Sequence, residues 1–246
     1  MKILVVADLH YNLKQFDWLL EKAPDFELVV IAGDLLDIAG HAELDAQIVV
    51  ITKYLEKLRT LVPVLVCSGN HDGDVKTDND EYVAEWLQEA RNENLFVDGD
   101  TFSFDGGAIT ICPWWDGPVT QKELAPLLRE AKKENPPLWI WIHHAPPKDS
   151  PLSWAGKKEY GDELLLSLIE ELQPALVFTG HIHNAPFSSA GAWCDQVGDT
   201  WVFNAGREMG ALPTRIEIDT DLMEATWISS MGVETRKLAP SGPSNA

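Results

Sequence analysis

The stretch KILVVADLH, residues 2–10, decides how the fold of this chain is interpreted. A short, continuous apolar run, typical of a strand buried on both faces, leads directly into the polar pair Asp8 and His10. Residues i and i+2 of an extended chain point to the same side, so both side chains can face one point in space. Carboxylate and imidazole groups directly after a strand are candidate metal ligands.

The same arrangement recurs four more times along the chain. Apolar runs are followed at once by clusters rich in Asp, Asn and His, and these clusters together with His10 contain six of the seven histidines. Functional groups of a parallel α/β sheet gather at the carboxyl ends of its strands, so these clusters should converge on a metal site with two ions. The four clusters are Gly33-Asp34, Gly69-Asn70-His71-Asp72, His143-His144 and Gly180-His181-Ile182-His183.

Strand and helix patterns alternate, which predicts an α/β sandwich. Helical periodicity follows the first five strands, at Leu13–Ala23, Ala42–Thr60, Asp80–Asn92, Thr120–Lys133 and Asp162–Leu172. Turn sequences at Asp98-Gly99 and Asp105-Gly106-Gly107 predict a small meander over Leu95–Cys112. Three further strands follow His183 without helices between them, and we expect them to form an antiparallel extension that closes the second sheet. They are Thr200–Asn204, Arg215–Asp219 and Glu224–Ser229.

Composition limits the classes of partner. The 246 residues are 45% hydrophobic, which is ample for one large core, and we expect a single domain over residues 1–238 with a flexible tail at 239–246. A formal net charge of −20 repels phosphate backbones and argues against binding of long nucleic acid. Divalent ions would offset that charge at the site itself, so a small phosphorylated substrate remains compatible with it.

The cysteines and the chain start predict a cytoplasmic protein. Cys67, Cys112 and Cys194 are too few and too scattered for a disulfide framework, and the odd number suits a reducing compartment. The first strand begins at Lys2, so no signal peptide is expected before the fold. The apolar runs are far too short to span a bilayer, so no membrane association is expected.

The ordered motifs D-x-H, G-D-x-x-D, G-N-H-D, H-H and G-H-x-H, from Asp8 to His183, resemble those of the calcineurin-like metallophosphoesterase superfamily. Each motif alone is weak evidence, but all five in order after strands are highly specific. The resemblance implies a four-layer αββα sandwich with two mixed β-sheets. It also implies a two-metal phosphoester hydrolase that acts by metal-hydroxide attack on phosphorus.

The resemblance further implies a division of labour among the site residues. One ion would be held by Asp8, His10, Asp34 and His183. The other would be held by Asp34, Asn70, His143 and His181, with Asp34 as the bridge. His71 matches the family's catalytic histidine, which is not a ligand. Mixed nitrogen and oxygen ligation suits Mn, Fe or Zn.

Several assignments stay open at this stage. His143 and His144 compete for one ligand place, and we favour His143 because it comes first after the strand. Asp72 either orients His71 or makes a turn, and Asp37 either joins the site or has a structural role. Arg207 either contacts a phosphate or forms a surface salt bridge. The tryptophans Trp114, Trp115 and Trp154 either stack a flat substrate group or form a hydrophobic lid.

Three functions compete on these grounds. The favoured interpretation is a phosphodiesterase or phosphomonoesterase acting on a small phosphorylated molecule or nucleotide. A nuclease of the same superfamily is the alternative, although the net charge and the lack of a basic stripe count against it. A protein-binding scaffold without catalysis is the third, and the complete ligand set argues against it.

Overall fold

The computed structural model describes residues 1–238, so the predicted tail at 239–246 lies outside the described residues. Two β-sheets pack face to face and helices cover their outer faces. The helices are α1 (Leu13–Lys22), α2 (Leu44–Leu58), α3 (Glu85–Ala90), α4 (Gln121–Lys132) and α5 (Glu163–Leu172). The strands are β1 (Lys2–Val6), β2 (Leu28–Ala32), β3 (Val64–Cys67), β4 (Val75–Lys76), β5 (Tyr82–Val83), β6 (Leu95–Phe96), β7 (Thr101–Phe104), β8 (Gly107–Ile111), β9 (Leu138–Ile142), β10 (Leu176–Thr179), β11 (Cys194–Val197), β12 (Thr200–Asn204), β13 (Arg215–Asp219), β14 (Glu224–Ser229) and β15 (Gly232–Lys237).

The alternation of side chains along each strand builds three apolar layers. In β1, Ile3 and Val5 enter the core between the two sheets, whereas Leu4 and Val6 pack with α1, α2 and α3. In the second sheet, Trp139 and Trp141 of β9 pack with α4 and α5. Because both faces of the central strands are covered, these strands are apolar throughout. The predicted four-layer αββα sandwich is confirmed.

Both sheets are mixed, with a parallel centre. The seven-stranded sheet has the order β15-β14-β13-β1-β2-β3-β6, and β1, β2, β3 and β6 run parallel. The six-stranded sheet has the order β11-β12-β10-β9-β8-β7, and β12, β10, β9 and β8 run parallel. The carboxyl ends of β1, β2, β3, β9 and β10 are the places where the five polar clusters begin.

The strands after His183 divide between the two sheets, so the prediction that they all close the second sheet is wrong in part. β12 lies parallel to β10 in the second sheet, whereas β13 pairs antiparallel with β1 in the first, with Ile3 opposite Ile218. Ile216 and Ile218 face the core that the two sheets share. Alternation in the sequence marks that face but does not say which sheet supplies the neighbouring strand.

The predicted meander over Leu95–Cys112 is also wrong. β6 pairs with β3 in the first sheet, while β7 and β8 form a hairpin in the second around the predicted turn at Asp105-Gly106. The Asp98-Gly99 segment is therefore a crossing between sheets, not a hairpin turn. No helix in residues 1–238 has the length and apolarity to cross a membrane.

Asp98 holds this crossing together. Its buried carboxylate accepts the backbone N–H of Ser68 at 2.8 Å, and its carbonyl oxygen accepts hydrogen bonds from the side chains of Gln88 and Arg91. Burial raises the pKa of Asp98 to about 7, although the hydrogen bonds from Ser68 act in the opposite direction. Ser68 directly precedes Gly69, so this contact ties the crossing to one of the polar clusters.

We predict that Asp98→Asn stabilises the protein increasingly as pH rises. The folded-state pKa of Asp98 lies above the unfolded value, so folding stability falls as pH rises from about 4 through about 7. Asparagine keeps an oxygen for the Ser68 N–H without the cost of a buried charge. The advantage of the variant in unfolding free energy should grow by about 3 kcal/mol between pH 5 and pH 8. Thermal melting at several pH values measures it, and a constant difference would contradict the assignment.

Candidate metal centre

The polar clusters converge into two adjacent groups of possible metal ligands. The first group consists of Asp8, His10, Asp34 and His183, and the second includes Asp34, His144 and His181. Within each group, one nitrogen or oxygen atom from every residue lies within 4.8 Å of the others. Asp34 belongs to both groups, which is the arrangement expected of a carboxylate between two ions.

The first group brings imidazole nitrogens against carboxylates and against each other. The Nε2 atoms of His10 and His183 are 3.0 Å apart. His183 Nε2 is 3.2 Å from Asp8 Oδ1, and His10 Nε2 is 3.5 Å from Asp34 Oδ2. Asp8, His10 and Asp34 are buried, and His183 is partly exposed. Nitrogen and oxygen donors that face one point in this way suit a first-row divalent cation.

The second group depends on the orientation of His144. Its Nδ1 lies 2.8 Å from the carbonyl oxygen of Ala32, which can only accept, so Nδ1 carries a proton and Nε2 of the neutral ring would be free to bind a metal. Nε2 is buried without a hydrogen-bond partner and lies 3.2 Å from Asp34 Oδ2. Beside it, Asn70 Oδ1 and His181 Nδ1 are 2.8 Å apart. Asn70 therefore adds a neutral oxygen to this group.

His143 does not point into the site, so the prediction that it faces the second group is wrong. Its Nδ1 donates to the carbonyl oxygen of Ala145 at 3.0 Å, and its Nε2 is 3.7 Å from a carboxylate oxygen of Asp162, the residue that caps α5. Alternation along β9 explains the difference. His143 continues the helix-facing side of Trp141, and His144 continues the side of Ile142, which faces the core between the sheets.

The loops that carry the ligands turn in the left-handed region of backbone conformation. Asp8, His10, Asp34 and His181 have φ values of 55°, 41°, 55° and 66°. Asp8 and His10 therefore converge through a turn and not through the extended spacing expected from the sequence. Residues other than glycine seldom adopt such angles, and backbone strain of this kind concentrates at functional sites.

Asp72 holds the Asp34 loop in place. Its buried carboxylate accepts the backbone N–H groups of residues 34–36 and of Gly69, at 2.8–3.0 Å. Burial and the neighbouring Asp34 charge raise the pKa of Asp72 to about 7, against the effect of these hydrogen bonds. Its backbone N–H also donates to the carbonyl oxygen of Gly69 at 3.1 Å, so Asp72 closes the turn considered from the sequence and, in addition, links the loops after β2 and β3.

Close packing requires the glycines of the motifs, and it is tightest at Gly33 and Gly69. A Cβ atom at Gly33 would lie 2.3 Å from Nδ1 of His144, and a Cβ atom at Gly69 would lie 2.3 Å from Oδ1 of Asp34. Gly33 also has a φ of +85°, which L side chains rarely adopt. These glycines allow the loops to approach the ligand side chains directly.

His71 lies at the edge of the first group. Its backbone N–H donates to Asp34 Oδ1 at 2.9 Å, and its Nδ1 accepts the Ile38 N–H at 3.4 Å, so the neutral ring carries its proton on Nε2. Burial lowers the pKa of His71, although the charge of Asp34 opposes this. One atom each of His10, Asp37 and His71 also lie within 4.8 Å of one another. Asp37 is thus close to the site, while its carboxylate accepts the Ala39 N–H.

The electrostatics of the two groups favour positive charge. Burial opposes ionisation of Asp8 and Asp34, but the surrounding histidines hold the pKa values of both carboxyls below their usual value. Burial disfavours a charged His144, yet Asp34 and Asp8 raise its pKa to about 9. Burial, and then His144, lower the pKa of His181 to about 4. Two buried carboxylates thus demand cationic charge, which divalent ions would supply while the imidazoles stay neutral.

The residues 204–207 pack against the loop that carries His181 and His183. Asn204 donates to the carbonyl oxygen of Ile182 at 3.0 Å, and Arg207 donates its backbone N–H to the carbonyl oxygen of His183 at 3.1 Å. Among the described residues, the half-buried side chain of Arg207 makes no ion pair. The surface salt bridge considered from the sequence is therefore not formed within this part of the chain.

The tryptophans adjoin the second group. The rings of Trp114 and Trp115 stack with centroids 6.0 Å apart, and Trp114 lies 5.6 Å from the ring of His144 and 5.5 Å from that of His181. Trp115 donates to Asp162, the residue near His143. Trp114 therefore packs against two candidate ligands, and Trp115 packs behind it.

Comparisons with known proteins agree with this site. Residues 1–185 match the family model for calcineurin-like phosphoesterases. Purple acid phosphatase 21 of Arabidopsis thaliana is 27% identical over 188 residues, or 70% of this chain and 42% of the relative. A Fibrobacter succinogenes protein named probable cyclic nucleotide phosphodiesterase is 27% identical over 168 residues, or 67% of this chain and 60% of the relative. The chain thus aligns with less than two thirds of either relative.

Solved structures share the fold. The protein TT1561 of Thermus thermophilus matches with a TM-score of 0.62 at 15% identity, over 97% of this chain and 99% of that one. Purple acid phosphatase from yellow lupin (Lupinus luteus) seeds matches with a TM-score of 0.58 at 16% identity, over 97% of this chain and 51% of that one. A dimetal phosphatase from Danio rerio matches with a TM-score of 0.52 at 11% identity, over 97% of this chain and 99% of that one. Since the family model covers 185 of the 246 residues, this chain belongs to the calcineurin-like phosphoesterase family.

Proposed function

We propose that the protein is a two-metal-dependent phosphoester hydrolase that acts on a small phosphorylated molecule or nucleotide. The observation that carries this proposal is the carboxylate of Asp34, which is shared by two groups of nitrogen and oxygen donors. The names of the two curated relatives, a purple acid phosphatase and a probable cyclic nucleotide phosphodiesterase, support a phosphoester substrate. They leave both monoesters and diesters within the proposal.

In the proposed centre, each ion would have four protein ligands. Asp8, His10, Asp34 and His183 would hold the first, and Asp34, Asn70, His144 and His181 would hold the second. Divalent cations in such a pair place positive charge beside the phosphoryl oxygens and lower the pKa of the attacking water. The mixed donor set suits Mn, Fe or Zn.

The protein's own groups would act on the substrate around this centre. His71 carries its proton on Nε2 and would donate a hydrogen bond to a phosphoryl oxygen or a proton to the leaving group. Arg207, held beside His183 and without an acidic partner within residues 1–238, would bind an anionic oxygen of the substrate. Both residues would thereby stabilise charge that develops in the transition state.

The remaining features favour a small substrate and an intracellular setting. A net charge of −20 opposes binding of long polyanions but is offset locally by the ions. Cys67 and Cys112 are buried free thiols, which is compatible with the reducing cytoplasm that we propose as its location. We also propose that residues 1–238 act as one domain.

Hydrolysis should depend on added divalent metal. We expect turnover in a panel of phosphomonoesters and phosphodiesters assayed with Mn, Zn and Mg, and its loss after treatment with a chelator, because the ions activate the water. Elemental analysis should give two equivalents of metal per chain in the active protein. Full turnover by protein shown to be metal-free would disprove the proposed mechanism.

His71→Ala and Asn70→Ala should separate rate from metal content. His71 acts on the phosphoryl group, so its loss should lower kcat and kcat/KM together by on the order of 10²–10⁴-fold at unchanged metal content. Asn70→Ala should lower the occupancy of one ion. Rate and metal stoichiometry are measured on the same preparations. Loss of a full equivalent of metal from His71→Ala would make His71 a ligand instead.

His144→Ala and His143→Gln form a matched pair that tests the choice between adjacent histidines. His144→Ala should lose about one metal equivalent, because the lone pair of Nε2 belongs to the second group. His143→Gln should keep both equivalents, since its ring bonds to Ala145 and lies beside Asp162. Metal titration by calorimetry distinguishes the two variants, and the reverse pattern would restore His143 as the ligand.

A further inference from the structure

A cavity of about 340 Å³ lies directly beside two of the candidate ligands. His181 and His183 form one side of it, together with their neighbours Ile182 and Asn184. Ala155 and Tyr160, from the long loop after His144, form the other side. The sequence drew attention to the tryptophans as candidates for stacking a flat substrate group, but none of the residues that line this cavity is a tryptophan.

The loop holds Tyr160 in a defined position. Trp154 and Glu159 form an antiparallel bridge, and the Tyr160 N–H donates to the carbonyl oxygen of Ser153 at 3.0 Å. Ser150, at the base of this segment, donates its hydroxyl to Asp195 at 2.8 Å. Tyr160 itself stays 49% exposed. The ring is therefore available to a ligand without being free to move with a mobile loop.

The chemistry of the cavity suits a flat ring with polar edges. Tyr160 offers an aromatic surface, Ala155 and Ile182 offer apolar walls, and Asn184 offers an amide that both donates and accepts hydrogen bonds. The ammonium group of Lys158 lies 4.3 Å from the centroid of the Tyr160 ring. Lys158 does not line the cavity, but its charge beside Tyr160 would attract an anionic ligand in a chain whose net charge is −20.

The volume of the cavity further limits the class of ligand. Ligand cavities usually measure roughly 300–1,000 Å³, so this one accommodates a nucleoside-sized group but not a long acyl chain. A larger cavity of about 690 Å³ has Trp114 and the acidic residues Glu85, Asp98 and Glu123 in its lining, and none of the candidate ligands lines it. Its acidic lining also opposes a phosphorylated ligand.

We infer that the cavity binds the base of a nucleotide whose phosphoryl group is hydrolysed at the metal centre. This inference rests on the proposed function and specifies its substrate class. The base would stack against Tyr160, with Asn184 hydrogen-bonded to its polar edge. The scissile phosphoryl group would then lie next to His181 and His183, which border both the cavity and the ligand groups.

The test compares substrates that differ only in the base. The four nucleoside 5′-monophosphates are assayed against ribose 5-phosphate with metal-loaded protein, and at least one nucleotide should be favoured in kcat/KM. Base–aromatic stacking predicts that Tyr160→Ala lowers kcat/KM for that nucleotide by roughly 5- to 100-fold. The value for ribose 5-phosphate should not change, and Tyr160→Phe should behave like the wild type, because phenylalanine retains the ring.

Tyr82→Ala is the matched control. Tyr82 is 46% exposed, close to the value for Tyr160, but it lies in the β4–β5 hairpin and borders a crevice that includes Asn70. It should leave the preference for the base intact. Equal losses for both substrates in Tyr160→Ala, or a base-dependent loss in Tyr82→Ala, would overturn the inference.

Binding of the free nucleoside gives a readout that does not need hydrolysis. Saturation-transfer NMR with the nucleoside of the preferred nucleotide should show contacts from the base protons in the wild type and their loss in Tyr160→Ala. Hydrolysis of other phosphoesters without any preference for a base, and without nucleoside binding, would overturn the inference but leave the proposed function standing. Absence of hydrolysis across the whole ester panel would instead count against the proposed function.

Discussion

The burial of two carboxylates, Asp8 and Asp34, is the constraint on which the rest of this site depends. Each lies in the interior at the carboxyl end of a parallel strand, where an uncompensated negative charge is costly. Four histidines from both sheets surround them, and the hydrogen bond of His144 to Ala32 directs its Nε2 atom toward Asp34. Positive charge at this point therefore stabilises the fold as well as serving chemistry, which links metal binding to folding.

Bringing the candidate ligands together has a cost in backbone strain and close packing. Four ligand residues adopt left-handed backbone conformations, and two motif glycines leave no room for a Cβ atom. Asp72 offsets part of that cost, because its buried carboxylate accepts hydrogen bonds from the backbone N–H groups of the loops after β2 and β3. The strained backbone and the hydrogen bonds that offset its cost thus lie in the same few residues, as expected where geometry is maintained for function.

In the proposed function, the metal centre and the base-binding cavity share His181 and His183 but otherwise draw on different parts of the chain. The ligands follow central strands whose side chains are locked in the cores on both faces, so their geometry is rigid. The cavity beside them is completed by the loop that carries Ala155 and Tyr160. Changes in such a loop alter what binds without disturbing the ligands, which is how one fold serves many substrates. This separation explains why family membership says little about substrate.

Short-range patterns in the sequence determined much of this protein. Strands buried on both faces predicted the layers, and the polar clusters that follow them predicted the location of the centre. Only the tertiary structure decided which sheet contains β13 and β14. The sequence marks their apolar face, but such a face fits either sheet because both sheets border the same core. His144, and not His143, faces the site because side chains alternate along β9. The sequence alone could not use this alternation, because it does not show that Ile142 faces the core between the sheets. Tyr160 comes to line the cavity beside His181 and His183 through the folding of its loop, which has no periodicity in the sequence and depends on hydrogen bonds between residues distant in sequence.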